Sequence, residues 1–438
     1  MNFIVALEPS RPVTSVRSGA GWQGTQERYH DVIAMRVSVE FQDEQLELEL
    51  PDEKLVGLWK GPAGVAGEAA VAAVRNALEH PLGFPPVRQA VVPGDRVAIA
   101  LDSSLGGITP VLRVVVDLLY QSGVEPGDVT VVASPANRAS LSDELPQGIA
   151  LDLHDPTNQR RLAYLATTNE GRRIYLNRHI TDADVVIPVG RLGYDPILGY
   201  RGPWSAIFPS LSDQETRASY RQGMAGDAPG QLTPRPELDE TFEVSWLLGT
   251  QFHLGLVPGR SGLAEALGGL AEPLRDLAIG AIDRLWSFRP PTRAECVVAG
   301  IGSPGVPTGI DELVEGLVTA SRLVFHGGKI VALSRTQGVI GPSLRRLSDA
   351  GDLKNAPAAL RGHDADPDSV AGRRLAQVLA WADVYLYSGI DRQVVEDLSM
   401  VPIDHLDDAR RLLARSSSCL LVSHADLTRG TVREEESR

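Results

Sequence analysis

The chain of 438 residues has few cysteines, no long apolar run and no excess of basic residues. Its two cysteines, Cys296 and Cys419, stand in apolar runs typical of buried strands, so we expect buried thiols that form neither a disulfide nor a metal site. No apolar stretch approaches the roughly 18–20 residues that a membrane helix needs, and the first residues lack the basic start and apolar centre of a signal peptide. We therefore expect a cytoplasmic protein without a membrane partner.

Charge and histidine spacing exclude two further classes of site. With 42 basic and 56 acidic residues, the formal net charge is -14, and no basic run supplies the face that a nucleic acid requires. The nine histidines include no pair at i, i+4 or i, i+2 spacing, so the pattern predicts no metal site. A small anionic or hydroxylated molecule is the partner that we expect.

Apolar patterning indicates an α/β fold. The segment RVSVEFQDEQLELEL alternates apolar and polar residues and predicts a hairpin; RVAIALDSS, TPVLRVVVDLLYQSG and DVTVVAS then read as strand, helix and strand. The alternation resumes at ADVVIPVG and again from ECVVAGIG onward, which predicts parallel sheets covered by helices on both faces. LAEALGGLAEPLRDLAIGAIDRLW is interpreted as a helix that leads into a linker.

We predict two domains, each a mostly parallel sheet with helices on both faces, and a ligand cleft between them. The predicted divisions are a variable segment 1–35, an N-terminal domain 36–275, a connecting helix and linker 276–292, a C-terminal domain 293–428 and a charged tail 429–438.

Polar residues follow three predicted strands at their carboxyl ends, where ligands gather in open α/β sheets. Each could instead cap a helix or close a turn. The candidates from these loops are Asp102, Ser104, Asn137, Arg138, Tyr194 and Asp195.

Two features of the C-terminal half also permit alternatives. GIGSPG fits the glycine pattern of a dinucleotide loop, but Pro304 removes an amide donor and no acidic residue ends the next strand, so a sharp strand-to-helix loop is the better reading. Glu312 and Glu315 would share one helix face, where carboxylates can share a proton or hold a hard cation, or form a solvated helix start.

Several segments, read in order, resemble the nickel-dependent lactate racemase family. They are VVPGDRVAIALDSS, VVASPANR, YLATTNEGRRIYLNRHITDADVVIPVGRLGY, GPWSAIFPS and AGIGSPGVPTGIDELVEGLVTASRLVFHGGKIVALS. The resemblance runs over nearly the whole chain from about residue 36. It implies a two-domain α/β fold and racemisation or epimerisation of 2-hydroxy acids or related polyols.

In that family, a nickel pincer nucleotide tethered to a lysine takes a hydride from the substrate while histidines act as acid and base. This chain differs at most of the matching positions. Arg178 matches the lysine; Asn137, Thr168 and Tyr194 match histidines; Leu105 and Ser205 match an arginine and a lysine; Glu312 and Glu315 match a glutamine and a lysine. Asp102 is carried over, and Ser104 replaces a threonine.

These replacements leave three hypotheses open, with no catalytic residue and no cofactor assigned. The first is a divergent racemase or epimerase, and the second is a small-ligand-binding or regulatory homologue without catalysis. The third is a hydrolase or lyase in which acidic residues use a hard divalent cation. The arginines Arg138, Arg178, Arg191 and Arg201 could hold an anionic ligand under any of them.

Overall fold

The computed structural model describes residues 34–102, 108–135, 141, 145–222, 235–351 and 355–433. Within these residues the strands, numbered along the chain, are β1 (Ala34–Phe41), β2 (Glu44–Pro51), β3 (Leu55–Trp59), β4 (Val97–Leu101), β5 (Val129–Ala133), β6 (Ala150–Leu153), β7 (Leu162–Thr167), β8 (Arg173–Asn177), β9 (Val185–Arg191), β10 (Gly193–Asp195), β11 (Gly199–Arg201), β12 (His253–Pro258), β13 (Leu263–Gly269), β14 (Ser287–Phe288), β15 (Ala294–Gly300), β16 (Val324–Leu333), β17 (Asp383–Tyr387), β18 (Val401–Pro402), β19 (Cys419–Val422) and β20 (Arg429–Gly430).

The helices cover the sheets that these strands form. They are α1 (Gly67–Glu79), α2 (Thr109–Gln121), α3 (Arg178–Thr181), α4 (Pro203–Ile207), α5 (Gln214–Gln222), α6 (Pro236–Leu247), α7 (Ala271–Trp286), α8 (Ile310–Leu323), α9 (Pro342–Asp349), α10 (Ala356–Ala359), α11 (Ser369–Trp381), α12 (Arg392–Asp397) and α13 (Leu406–Arg415). Their limits follow local chemistry. In α2, for example, Pro110 occupies the first turn, where its missing N–H costs nothing, and Gly123 just beyond the end adopts φ +86°.

The first large sheet has the strand order β13-β12-β9-β4-β5-β6, parallel except where β13 pairs with β12. Its alternating residues enter two apolar cores. Ile99 of β4 packs with Leu112 of α2 on one face, whereas Ala100 packs with Trp204 of α4 on the other. Successive side chains of β4 therefore point to opposite faces of the sheet, and both faces are buried, as is usual for parallel sheets.

The second large sheet has the order β18-β17-β16-β15-β19-β3 and is parallel throughout. Helices α8 and α11 cover one face, where Val297 and Leu317 are buried together. The β1–β2 hairpin and α13 cover the other face, with Val39, Val298 and Leu413 in one core. An α/β fold with two mostly parallel sheets is thus confirmed.

The start of the described chain lies with the second sheet. The predicted hairpin is confirmed, and it packs on strands that come some 250 residues later. Strand β3 joins the edge of the same sheet beside β19. Assignment of residues 36–275 to a single domain stays a prediction.

The interpretation of residues 263–286 as one helix is wrong for its first part. Leu263–Gly269 forms β13, antiparallel to β12, and the helix begins only at Ala271. Gly268 and Gly269 disfavour a helix, and a carbon added at either would strike neighbouring backbone. Close backbone approach at these glycines therefore favours the strand.

The two cysteines lie opposite each other on β15 and β19, buried and free, as the sequence predicted. Burial raises the pKa of Cys296 to about 12 and that of Cys419 to about 11, so neither thiol is a ready nucleophile. Among the described residues, no helix is long and apolar enough to cross a bilayer.

Candidate functional site

The candidate site lies where the strand order of the first sheet reverses. Strands β4 and β9 are neighbours there, although the chain continues from them to opposite sides of the sheet. Such switch points open a crevice at the carboxyl ends of the strands. Asp102 follows β4 and Arg191 ends β9, so both stand at this crevice.

Asp102 is buried and bound to two arginines. Its carboxylate accepts hydrogen bonds from Nη2 of Arg201 at 2.9 and 3.2 Å and from the backbone N–H of Arg191 at 3.3 Å. Its side chain is only 4% exposed, and that of Arg201 is 20% exposed. The sequence singled out Asp102 from its place after a strand, and the structure gives it a cationic partner 99 residues away.

Each of the two arginines has a side-chain donor that makes no hydrogen bond with the described residues. The Nε atoms of Arg191 and Arg201 are both buried, and neither has a hydrogen-bond partner among the described residues. Burial lowers the pKa of Arg191, and the nearby guanidinium of Arg201 adds to this effect. For Arg201, burial acts in the same direction, but Asp102, Asp195 and Glu312 together raise the pKa. Both side chains remain cationic at neutral pH.

The first turn of α8 carries two acidic side chains, Asp311 and Glu312, that lie near these arginines. The pKa of Asp311 is raised to about 6 because the surrounding protein desolvates its carboxyl and because Glu312 and Asp368 lie close. Glu312 accepts the Gly309 N–H at 3.0 Å and so caps the helix.

Glu315 and Asp426 extend this acidic side of the site. The pKa of Glu315 is raised by burial although Arg374 lies 2.8 Å away. Asp426 follows β19, accepts the Gly302 N–H at 2.8 Å and has a pKa that burial raises. Acidic groups of the second sheet therefore meet basic groups of the first sheet.

Tyr194 and Asp195 lie on a short ribbon formed by β10 and β11. The carboxylate of Asp195 accepts the N–H groups of Ile197 and Leu198, both at 2.8 Å. The Tyr194 hydroxyl donates to Asp283 at 3.0 Å, and burial raises its pKa. Asp195 therefore stabilises the turn of the ribbon and also raises the pKa of Arg201.

At two predicted positions, the described contacts are with residues other than those of this cluster. Thr168 donates through Oγ1 to Glu240 at 3.5 Å and accepts the Arg172 N–H at 3.2 Å, within a buried polar network on α6. Arg178 begins α3, donates to the Leu162 carbonyl at 3.2 Å and is 54% exposed. Ser104, Asn137 and Arg138 fall outside the described residues.

Sequence reasoning missed Asp311, Asp426 and His424. Asp426 belongs to the segment that follows the strand CLLV, beyond Ser423, His424 and Ala425, so a search of the residues after each strand would have included it. His424 is completely buried with φ +52°, and its Nδ1 contacts the Gly302 carbonyl oxygen at 3.1 Å. No local sequence signal marks that conformation.

The residues that the resemblance matches to the family's lysine and histidines do not suit a nickel nucleotide tethered as in that family. Arg178, at the tether position, carries a guanidinium that lies 3.9 Å from Asp182 and cannot form the covalent link of a lysine amine. Thr168 and Tyr194 supply hydroxyls that are already hydrogen-bonded where imidazoles are expected.

Comparisons with known proteins agree with the resemblance. Residues 41–228 match the lactate racemase N-terminal domain. The lactate racemase of Thermoanaerobacterium thermosaccharolyticum is 20% identical over 401 residues, which cover 86% of this chain and 93% of that protein.

Solved structures share the fold. The lactate racemase apoprotein from the same organism superposes with a TM-score of 0.74 at 16% identity, over 90% of this chain and 100% of that one. A protein from Thermotoga maritima gives a TM-score of 0.63 at 13% identity, over 86% of this chain and 100% of that one. The domain match and the curated relative make this a lactate-racemase-like chain, and the solved structures show that it shares the lactate racemase fold.

Proposed function

We propose that this protein binds a small hydroxylated carboxylate, such as a 2-hydroxy acid or a sugar acid, at the switch point of the first sheet, and that it does not racemise its ligand. One observation carries the proposal. The Nε donors of Arg191 and Arg201 are buried without a partner in the described part of the chain. Both residues also hydrogen-bond the Asp102 carboxylate, Arg201 through Nη2 and Arg191 through its backbone N–H. Donors left in this state cost about 1–3 kcal/mol each, which a ligand carboxylate would offset.

The chemistry of the site suits both ends of such a ligand. Guanidinium groups bind a carboxylate through parallel N–H donors, which favours Arg191 and Arg201 as the anion-binding pair. Asp102 and Glu312 accept hydrogen bonds and would bind hydroxyl groups of the ligand. A phosphorylated nucleotide is a poorer fit, because its several negative charges would meet Asp102, Glu312 and Asp426.

A ligand requires more room than the described conformation offers. The enclosed space lined by Arg191, Tyr194, Trp286 and Asp426 measures about 10 Å³, enough for one water molecule. Binding therefore requires the segment that carries Asp426 to separate from the β10–β11 ribbon.

The proposed absence of racemisation is supported by the residues that the resemblance matches to the family's lysine and histidines. Arg178 offers no amine for the cofactor, and Thr168 and Tyr194 cannot exchange a proton near neutral pH as imidazole does. The second candidate, racemisation or epimerisation of a 2-hydroxy acid, is favoured by the extent of the match to lactate racemase, 86% of this chain.

Calorimetric titration with L-lactate, D-lactate, D-glycerate and D-gluconate tests the binding proposal. We expect at least one of these compounds to bind with a Kd below about 1 mM. Arg201→Lys keeps the charge next to Asp102 but loses the planar fork, so it should weaken binding about tenfold. Arg173→Met, which changes an exposed arginine on β8, is the matched control and should bind as the wild type does.

The outcomes separate the candidates. Failure of all four compounds to bind would refute the proposal. Conversion of the bound compound into its stereoisomer, followed by chiral chromatography on protein co-expressed with the cofactor-synthesis enzymes of the family, would establish the second candidate instead.

A further inference from the structure

The β10–β11 ribbon carries two groups of side chains on opposite faces. Its register places Tyr194 opposite Tyr200 and Gly193 opposite Arg201. Residues directly opposite share a face, and successive residues alternate. The tyrosines therefore lie on one face, while Arg201 lies on the other and reaches Asp102.

The tyrosine face is held by an arginine from the end of the described chain. Arg429, on β20, places its guanidinium carbon 3.7 Å from the centre of the Tyr194 ring and 4.9 Å from that of Tyr200. Its Nη1 donates to the Tyr200 hydroxyl at 3.0 Å and to Asp283 at 3.2 Å. The Arg429 side chain is 10% exposed.

Asp283 closes the cluster from α7. Its carboxylate accepts the Tyr194 hydroxyl at 3.0 Å and the Tyr200 hydroxyl at 2.9 Å, in addition to Arg429. Strand β20 itself is paired with β14, which follows α7 directly. The ribbon, the helix and the last strand thus share one partly buried charge pair, in which Asp283 is 38% exposed, with two aromatic rings.

We propose that Arg429 is a positioning residue: it fixes the tyrosine face of the ribbon and thereby sets Arg201 against Asp102 on the opposite face. Its effect on ligand affinity rests on the proposed function, whereas its effect on the ribbon does not. Arginine is required because one planar group must stack on two rings and donate to two oxygens at once.

Amide hydrogen exchange on the full chain, read by mass spectrometry, tests this role without a ligand. Arg429→Met should raise exchange in the peptide covering residues 193–201 about tenfold and leave peptides of β4 and β15 unchanged, because only local opening becomes easier. Arg429→Lys keeps the cation over the rings and should recover part of the protection. Arg433→Met, on the same terminal segment but exposed, is the matched control and should change nothing.

Two further readouts complete the experiment. Modification of Arg201 by phenylglyoxal should be faster in Arg429→Met than in Arg433→Met. Tyr200→Phe removes only the hydroxyl between Arg429 and Asp283, so it should loosen the ribbon by a smaller factor and serves if Arg429→Met does not fold.

Unchanged exchange in residues 193–201, or an equal rise throughout the chain, would overturn the positioning role. A local rise together with about tenfold weaker binding of L-lactate or D-gluconate would support both proposals. A local rise in a protein whose wild type binds neither compound would support the role of Arg429 and count against the ligand proposal.

Discussion

Arg201→Met removes the side-chain cation that the structure places on Asp102. The carboxylate is 4% exposed and receives two hydrogen bonds from the lost guanidinium, at 2.9 and 3.2 Å. Removing one partner of a buried ion pair costs about 3–5 kcal/mol, because the remaining charge stays desolvated. The Arg191 N–H still donates to Asp102 and Arg201 is 20% exposed, so we expect the lower end, about 3 kcal/mol.

A double-mutant cycle isolates this interaction. Urea unfolding would be followed for Arg201→Met, Asp102→Asn and the double variant, which carries no ion pair to break. The double variant should recover about 2 kcal/mol relative to the sum of the single changes. Arg36→Met is the control, since Arg36 and its partner Glu49 are 85% and 64% exposed and their pair contributes less than about 1 kcal/mol.

Two results would contradict a stabilising Asp102–Arg201 ion pair. Arg201→Met could lower the free energy of unfolding no more than Arg36→Met does, or the double-mutant cycle could show no coupling. Either result would mean that Asp102 does not depend on Arg201. The electrostatic basis of the candidate site would then be lost.

Two other predictions test the electrostatics and the packing of the second sheet. Glu295 accepts hydrogen bonds from the Ser417 N–H at 2.8 Å and from the Ser417 hydroxyl at 2.7 Å. These bonds lower the pKa of Glu295 from 4.5 to about 2. The stabilising effect of its carboxylate is therefore present above pH 4.5 and is lost as the pH falls toward 2. Glu295→Gln should destabilise by about 1 kcal/mol at pH 7, allowing for solvent exposure, and by less in urea melts at pH 3; an equal difference at both pH values would contradict this. Gly300→Ala should destabilise the protein by about 2 kcal/mol or more, since the added carbon would clash with the Glu40 carbonyl oxygen of the hairpin. Gly280→Ala, in α7 with open space around it, should stabilise the protein by about 0.5–1 kcal/mol. Equal effects of the two substitutions in thermal melts would show that the hairpin does not pack as described.

Elements with a clear local period could be predicted from the sequence. VAIAL gave β4 and the apolar spacing of TPVLRVVVDLLYQ gave α2, because burial on both faces of a strand or one face of a helix is written in neighbouring residues. Residues 263–269 could not be separated from the following helix, since what makes them a strand is backbone approach at Gly268 and Gly269. Strand β3 depends on β19, more than 350 residues away.

The candidate site, like the fold, could be predicted only where the signal lies in neighbouring residues. Asp102 follows from its place after a strand, and Tyr194 and Asp195 from theirs. Which strand ends meet depends on strand order, a non-local property, so the approach of Asp426 and Asp311 to Arg191 and Arg201 was not predictable. The resemblance offered Thr168 and Arg178 as pocket residues; their described contacts are to Glu240 and Leu162, so their place in the site stays a prediction.

We propose that the protein binds a small hydroxylated carboxylate at Asp102, Arg191 and Arg201 without racemising it. The most direct measurement is calorimetric titration of protein co-expressed with the cofactor-synthesis enzymes, followed by chiral chromatography of the recovered compound and by intact mass and nickel analysis of the protein. We expect saturable binding, recovery of the same stereoisomer, a mass of 47.0 kDa without an added nucleotide, and no stoichiometric nickel. Failure to bind any of the four compounds, or stereoisomer conversion with a nucleotide adduct and nickel, would contradict it.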